Sequence, residues 1–307
     1  MKAEVATAHA LVLLATLLVA GSFIASARLA SVLNPYSLTL LRFVCSVIIL
    51  APVVLMQPSL RARILPAMPR ALIISFFFSA FFVCMFEALK TTTALNTAAI
   101  YTLVPLMTAI ISRLVLGEKL AQSRVWIYLL GAAGACWVIF TGRQADVLSL
   151  SLNTGDLIFF GGAVLMACYA VSMKRLYRND PMIVLVLGIL LGGCFWMTIA
   201  LLATGNTPDW QLLDRQAAWQ MAYLVVGATI GTVYLFQRTI VVLGPSRVNA
   251  YIYLNPASVA LLSIVVGDGP IPLMTLPGIA IAMLATILLQ KRAQSAVPVS
   301  TPSRYTD

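Results

Sequence analysis

Residues 95–120 read LNTAAIYTLVPLMTAIISRLVLGEKL, and residues 246–271 read SRVNAYIYLNPASVALLSIVVGDGPI. Each stretch begins with small and polar residues, reaches a tyrosine and then a proline (Pro105 or Pro256), and continues as an apolar run that ends in glycine and an acid. Each is long enough to cross a hydrocarbon core of about 30 Å as a helix. The two stretches therefore predict two membrane-spanning helices with tyrosine, proline, glycine and an acid in the same order.

The whole chain has the composition of a membrane protein. It has 307 residues, of which 61% are hydrophobic and 10% are charged, and its mean hydropathy is +0.97, far outside the range of a soluble domain. A membrane β-barrel would alternate polar and apolar residues, whereas runs such as residues 71–86 are apolar at successive positions. The sequence thus predicts an all-α integral membrane protein.

Apolar runs separated by short loops with proline, glycine or asparagine give ten predicted transmembrane helices. The predicted spans are residues 8–27, 35–56, 70–89, 94–116, 122–141, 155–174, 181–203, 217–237, 246–266 and 273–290. The tail at 293–307 is rich in Ala, Ser, Pro and Thr, and we expect it to be disordered.

The similarity of the two quoted stretches extends to the rest of the chain. The comparison places Phe23 of the first span near Tyr169 of the sixth, and Pro35 of the second near Pro181 of the seventh. We therefore predict a duplication of five spans, with repeats at 8–141 and 155–290. Because five is odd, the second repeat must enter the membrane from the opposite side, so the repeats are inverted.

The distribution of basic residues predicts the orientation. With both termini in the cytoplasm, fifteen of the 20 Lys and Arg residues lie on the inner side. The outer side then holds Arg28, Lys90, Arg143 and Arg215, and Arg42 falls inside a span. This bias follows the positive-inside rule and predicts a bacterial inner-membrane protein with cytoplasmic termini.

Several classes of function have no support in the sequence. The net charge of +10 comes from residues in short loops rather than from one soluble face, which argues against nucleic-acid binding. His9 is the only histidine, and the five cysteines have no ligand spacing, so no metal or cofactor is expected. The motifs of ATP-binding loops, zinc proteases and serine hydrolases are absent, so we do not expect an enzyme.

Two charged residues lie within predicted spans, where burial of a charge costs at least a few kcal/mol. Arg42 lies roughly 10 Å below the outer end of the second span, and Glu87 lies one turn from the outer end of the third, with Lys90 at i+3. An ion pair between Arg42 and Glu87 is one interpretation. In a functional interpretation, Arg42 binds a substrate carboxylate or Glu87 exchanges a proton. In a structural interpretation, both side chains extend to the outer interface.

Polar residues on the two proline-containing spans predict the walls of a cavity between the third, fourth, eighth and ninth spans. Their spacing of three and four places them on one helix face, and the prolines permit hinges. Helix packing is the alternative use of such residues. The predicted cavity residues are Phe23, Arg42, Glu87, Thr97, Tyr101, Thr108, Tyr169, Tyr234, Asn249 and Tyr253, with Pro105 and Pro256 as hinges.

Over roughly residues 8–290 the chain resembles the EamA family of the drug/metabolite transporter superfamily. The resemblance includes Gly21-Ser22-Phe23, Pro35 followed by Arg42, Ala88-Leu89 before residues 91–94, Pro105 with Gly117-Glu118, and Pro256 with Gly267-Asp268. Asp268 stands where the first repeat has the more usual glutamate. The resemblance implies two five-helix repeats and transport of amino acids, other metabolites, vitamins or drugs.

Together these features predict a secondary transporter that works by alternating access, with small organic molecules and membrane lipids as its partners. Export of an amino acid or related metabolite is the leading expectation. Riboflavin or similar vitamin uptake, multidrug efflux and a non-transporting membrane enzyme are the alternatives, and proton coupling would depend on Glu87. Small residues on helix surfaces serve contacts within and between copies alike, which leaves the oligomeric state open.

Overall fold

A computed structural model describes residues 2–118, 122–141, 153–268 and 272–295, and every regular element in these ranges is helical. The α-helices are α1 (Lys2–Leu29), α2 (Pro35–Leu55), α3 (Pro58–Arg61), α4 (Ile64–Ala88), α5 (Ala94–Tyr101), α6 (Val104–Leu116), α7 (Gln122–Thr141), α8 (Thr154–Leu176), α9 (Met182–Thr204), α10 (Arg215–Val225), α11 (Thr232–Leu243), α12 (Pro245–Ala250), α13 (Asn255–Val266) and α14 (Leu276–Ser295).

This is an all-α membrane protein. Within the described ranges, eight helical stretches are long and apolar enough to cross a bilayer, and two shorter apolar helices lie at Val125–Val138 and Leu273–Leu289. Each of the ten predicted spans coincides with one of these stretches. The boundaries differ: α1 begins at Lys2 rather than at residue 8, and α14 continues to Ser295, so the first residues of the predicted tail are helical. Residues 296–307, and the basic residues Lys119 and Arg143, lie outside the described residues.

The fourth and ninth predicted spans are both interrupted just before their prolines. In the fourth, α5 ends at Tyr101 and α6 begins at Val104, with Pro105 as its second residue. In the ninth, the 3₁₀ turn Tyr251–Leu254 separates α12 from α13, in which Pro256 is again second. Proline lacks an N–H and its ring crowds the preceding turn, so it begins a helix more readily than it continues one. The repeated proline thus produces a repeated break.

The duplicated glycine before each acid ends a helix. Gly117 follows α6 with φ +68°, and Gly267 follows α13 with φ +82°. Glycine adopts this left-handed conformation without the steric cost that a Cβ would bring, which is why it commonly ends helices. The acid that follows, Glu118 or Asp268, is therefore placed at the surface beside the helix end.

The first helices of the two repeats run in opposite directions, as an inverted duplication requires. Phe23, near the end of α1, packs against Phe159, near the start of α8, with ring centroids 6.1 Å apart. Lys174 is fifteen residues further along α8, or roughly 22 Å away at 1.5 Å per residue. We call the two sides of the molecule the Arg28 end and the Lys174 end.

The eighth predicted span contains a π-helical segment, Val226–Gly231, between α10 and α11. The Thr229 hydroxyl donates a hydrogen bond of 2.8 Å to the carbonyl of Leu224, five residues earlier. Such π segments are rare and are often found at functional sites.

Candidate functional site

The molecule contains a cavity of about 890 Å³ that is lined by residues of both repeats. It runs from Thr16 and Tyr101, near the middle of their spans, to Glu118, Lys174 and Tyr177 at the Lys174 end. Lys174 and Tyr177 are exposed to solvent there, so the cavity opens at that end. Its volume suits a small organic ligand.

Five of the predicted cavity residues line this space. They come from the fourth span of the first repeat and from the sixth and ninth spans, which belong to the second repeat, and Pro105 lies beside them. The five are Tyr101, Thr108, Tyr169, Asn249 and Tyr253. The two interrupted spans thus contribute polar side chains from both sides of the cavity, and the helix breaks bring Tyr101 and Tyr253 into its wall.

Four other predicted residues lie outside the cavity. Phe23 is 2% exposed and packs against the rings of Tyr101 and Phe159. Thr97 is buried, and its hydroxyl donates to the carbonyl of Ala94 at 2.9 Å. Tyr234 is 59% exposed on the surface of the bundle and accepts a hydrogen bond of 3.2 Å from Arg238. Pro256 is buried in the helix packing.

The predicted position of the cavity between the third, fourth, eighth and ninth spans is partly wrong. Among the described residues, none from α4, the third span, lines the cavity, whereas α1 and α8, the first and sixth spans, do. The reason lies in packing. α4 has its most extensive contacts with α8 and α9, and this packing keeps it away from the cavity. α4 is apolar over most of its length and its few polar residues do not mark one face, so its sequence does not reveal which neighbours it packs against.

The interpretation of Arg42 and Glu87 as an ion pair is also wrong. Glu87 lies in the last turn of α4 and pairs with Lys90 at 2.6 Å, with side chains 46% and 37% exposed. A partner three residues away on a helix surface needs no tertiary contact. Glu87 is therefore a surface residue outside the cavity.

Arg42 is buried in the helix packing, with 3% of its surface exposed. Its Nε donates a hydrogen bond of 2.9 Å to the hydroxyl of Thr229 in the π-helical segment. Its guanidinium carbon lies 4.3 Å from the centroid of the Phe82 ring, in cation–π geometry. Its Nη1 is buried without a hydrogen-bond partner among the described residues.

Beyond Tyr101 the path toward the Arg28 end is filled by aromatic rings. We call Phe23, Phe81, Phe82 and Phe159 the aromatic plug. Tyr101 contacts Phe23 at 5.6 Å and Phe81 at 5.9 Å between centroids, and Phe81 contacts Phe82 at 5.1 Å. The plug separates the cavity from the Arg28 end.

Ion pairs join the repeats at both ends, and one of them, between Arg70 and Asp180 at 2.6 Å, lies at the Lys174 end away from the cavity. Glu118 pairs with Lys174 at the open mouth of the cavity, and Arg28 pairs with Asp268 at 2.7 Å at the closed end. The Glu118 and Arg28 pairs each link the acid after one repeat's fourth span to the first helix of the other repeat. Among the described residues that line the cavity, Glu118 and Lys174 are the charged ones, and they neutralise each other.

Some cavity features gave no signal in the sequence. Tyr128 and Tyr251 line the cavity, and Tyr251 shares a hydrogen bond of 2.7 Å with His9. A Cβ on Gly131 would overlap the ring of Tyr253, only 2.6 Å from its Cδ1, so this glycine makes room for that ring. These contacts join residues far apart in the chain, which a single sequence does not relate. No group of three His, Cys, Asp or Glu side chains suited to a metal ion occurs in the described ranges.

Comparisons with known proteins agree with this architecture. The model of the EamA-like transporter family matches residues 6–140 and 153–290. The uncharacterized transporter YyaM of Bacillus subtilis (strain 168) is 25% identical over 212 residues, which cover 69% of this chain and 68% of that protein. A solved crystal structure superposes with a TM-score of 0.67 at 19% identity, covering 94% of this chain and 98% of the other.

Proposed function

Because the chain belongs to the EamA-like transporter family, we propose that it is a secondary transporter that exports an amino acid or related small metabolite by alternating access. The observation that carries this proposal is the cavity of about 890 Å³ between the two repeats, open at one end and closed by the aromatic plug at the other. A binding space that reaches one side at a time is what transport by alternating access requires.

The proposed orientation places both termini in the cytoplasm of a bacterial cell and the protein in its inner membrane. The Lys174 end then faces the cytoplasm, so this conformation is open inward. Opening outward requires the Arg28 end to separate and the plug to move away from Tyr101. The helix breaks before Pro105 and Pro256 are the proposed hinges, since a break leaves fewer backbone hydrogen bonds to resist bending.

The chemistry of the cavity supports a substrate without net charge. Its lining offers hydroxyls from tyrosine and threonine, the amide of Asn249, and the apolar side chains of Met166 and Met173. An ion of either sign would lack a compensating charge in the cavity, because Glu118 and Lys174 already pair with each other. We therefore propose neutral or zwitterionic metabolites with an apolar or aromatic part as the substrates.

Uptake of a flat vitamin such as riboflavin is the second candidate. The rings of Tyr101, Tyr128 and Tyr169 in the cavity wall favour it, because aromatic side chains stack on flat rings. The two candidates differ in the direction of transport and in the size and shape of the substrate.

Transport into proteoliposomes tests both candidates. The purified protein is reconstituted and assayed with labelled amino acids, riboflavin and a cationic dye, alongside Tyr169→Ala and Tyr234→Ala. We expect uptake of one substrate class, lost in Tyr169→Ala and kept in Tyr234→Ala, because Tyr169 lines the cavity and Tyr234 does not. If no compound enters above protein-free liposomes, the proposed function is wrong. Equal loss in both variants would contradict the assignment of the cavity as the substrate site.

A further inference from the structure

We propose that Arg42 is a carboxylate-binding position in the half of the transport path that is closed in this conformation. The inference rests on the proposed function, since it requires a second conformation in which the Arg28 end is open. The lining of the open cavity does not indicate that the substrate carries a carboxylate, whereas Arg42 does.

The position of Arg42 makes its charge costly. It is the eighth residue of α2, roughly 10 Å from the start of that helix at 1.5 Å per residue, and it is 3% exposed. No carboxylate lies within ion-pairing distance of it in the described part of the chain. A buried, unpaired guanidinium at membrane depth costs several kcal/mol, and charged residues in such places commonly serve function.

The hydrogen bonds of Arg42 are incomplete in this conformation. Arginine carries five N–H donors and no acceptor. Nε donates to Thr229 at 2.9 Å, and the face of Phe82 lies against the guanidinium at 4.3 Å, but a ring accepts no ordinary hydrogen bond. Nη1 is buried and has no partner in the described ranges. The structure thus holds the guanidinium by one edge and leaves donor capacity unused.

The unused donors match a carboxylate better than other ligands. The planar guanidinium presents parallel N–H groups that pair with the two oxygens of a carboxylate, and this charge-assisted geometry is the strongest that arginine makes. Anchoring Nε on Thr229 fixes the plane of the group in advance. A neutral ligand would fill the hydrogen bonds but leave the charge uncompensated.

Arg42 lies on a continuous path from the cavity. Tyr101 lines the cavity and contacts Phe81 at 5.9 Å; Phe81 contacts Phe82 at 5.1 Å; and Phe82 covers Arg42. Two rings of the aromatic plug therefore separate the cavity from the guanidinium. Movement of these rings when the Arg28 end opens would expose Arg42 to a substrate that comes from the cavity.

The π-helical segment would link ligand binding at Arg42 to the opening of the Arg28 end. Thr229 receives the Arg42 hydrogen bond and is itself held by Leu224 across the π turn. A π segment holds an extra residue within a turn and is often found at functional sites. Binding of a carboxylate by Arg42 would therefore act directly on the helix that borders it.

The test uses ligands that share one skeleton and differ in charge. Wild type, Arg42→Gln and Arg42→Lys in proteoliposomes are assayed with labelled phenylalanine, which has a carboxylate, and with phenylalaninamide, which keeps the ammonium group and has no carboxylate. Thr229→Val is the matched control, because it removes the Nε anchor and keeps the charge. Thermal unfolding in detergent is measured for every variant.

We expect Arg42→Gln to lower the transport of phenylalanine relative to the amide by at least about tenfold, in keeping with the loss of a charge-assisted pair. Arg42→Lys should retain part of the preference for phenylalanine over the amide, and Thr229→Val should retain more of that preference. Equal loss for both compounds, together with a lower unfolding temperature, would show that Arg42 only ties α2 to the π segment. Transport of the amide but not of phenylalanine by the wild type would overturn the carboxylate assignment while the proposed function stands. A wild type that moves neither contradicts both.

Discussion

The guanidinium of Arg28 at the end of α1 lies 2.7 Å from the carboxylate of Asp268, which follows α13, so this ion pair joins the first repeat to the second. Glu118 and Lys174 form the corresponding contact at the opposite end. The glycine that ends each helix places the acid, and the inverted duplication places its basic partner. The two repeats thus hold each other at both ends.

Removing the Arg28 charge should make the closed end more accessible. In a background without the native cysteines, Ser26→Cys replaces a fully buried residue near this end, and a membrane-impermeant maleimide reports its exposure. Adding Arg28→Gln should raise the labelling rate by no more than about fivefold, because a partly exposed ion pair contributes about 0.2–1 kcal/mol. The control is Glu118→Gln, which removes the corresponding pair at the other end and leaves the pair between Arg70 and Asp180 in place. Equal acceleration by both variants would point to general loosening rather than to a contact that keeps the Arg28 end closed.

Alanine at Gly131 should destabilise the protein through Tyr253. The new Cβ would lie 2.6 Å from Cδ1 of this buried ring, and overpacking of this kind typically costs about 1–3 kcal/mol. We expect a lower unfolding temperature and slower transport, with partial recovery when Tyr253→Val is added. Gly161→Ala is the matched control, since its Cβ would meet no described atom within 4 Å apart from the neighbouring residues and backbone of its own helix. A Gly131→Ala protein as stable as Gly161→Ala would contradict the close packing of this pair.

Replacing the two central prolines should slow transport without loss of stability. In Pro105→Ala and Pro256→Ala, an N–H becomes available at the helix breaks, so the spans can straighten and bend less readily. We expect transport rates several-fold lower and unchanged or higher unfolding temperatures. The control is Pro52→Ala, a proline inside α2 that lies away from the cavity. Wild-type rates in both central variants would exclude them as hinges.

Neutralising Glu87 should leave transport and its response to a pH gradient unchanged. The carboxylate pairs with Lys90 on the helix surface and does not line the cavity, so a proton bound there would not be coupled to the substrate. Transport by Glu87→Gln is compared with the wild type with and without a pH gradient. Loss of the response to the gradient in this variant would restore Glu87 as the coupling residue.

Part of the cavity could be predicted from the sequence because two of its walls lie on the spans with an internal proline. There the polar residues repeat at helical spacing on otherwise apolar helices, and Tyr101, Thr108 and Asn249 all reach the cavity. The same reasoning failed for Tyr234, because an exposed tyrosine and a cavity tyrosine look alike in a sequence. It failed also for Glu87, because Lys90 at i+3 pairs with its carboxylate and no partner distant in the chain is required.

By itself, the sequence determined that the chain is an all-α membrane protein with ten apolar spans, a duplication and two proline-interrupted helices. Runs of apolar residues long enough for a bilayer leave the helix as the available structure, since every backbone polar group must be paired within the segment. The tertiary structure alone decided which helix faces meet. It placed the aromatic plug, paired Arg28 with Asp268, and left Arg42 buried beside Thr229 without a countercharge among the described residues. Outside the two proline-containing spans, most helices are apolar on every side and no polar–apolar periodicity marks their inner faces, so these choices rest on packing between residues distant in the chain.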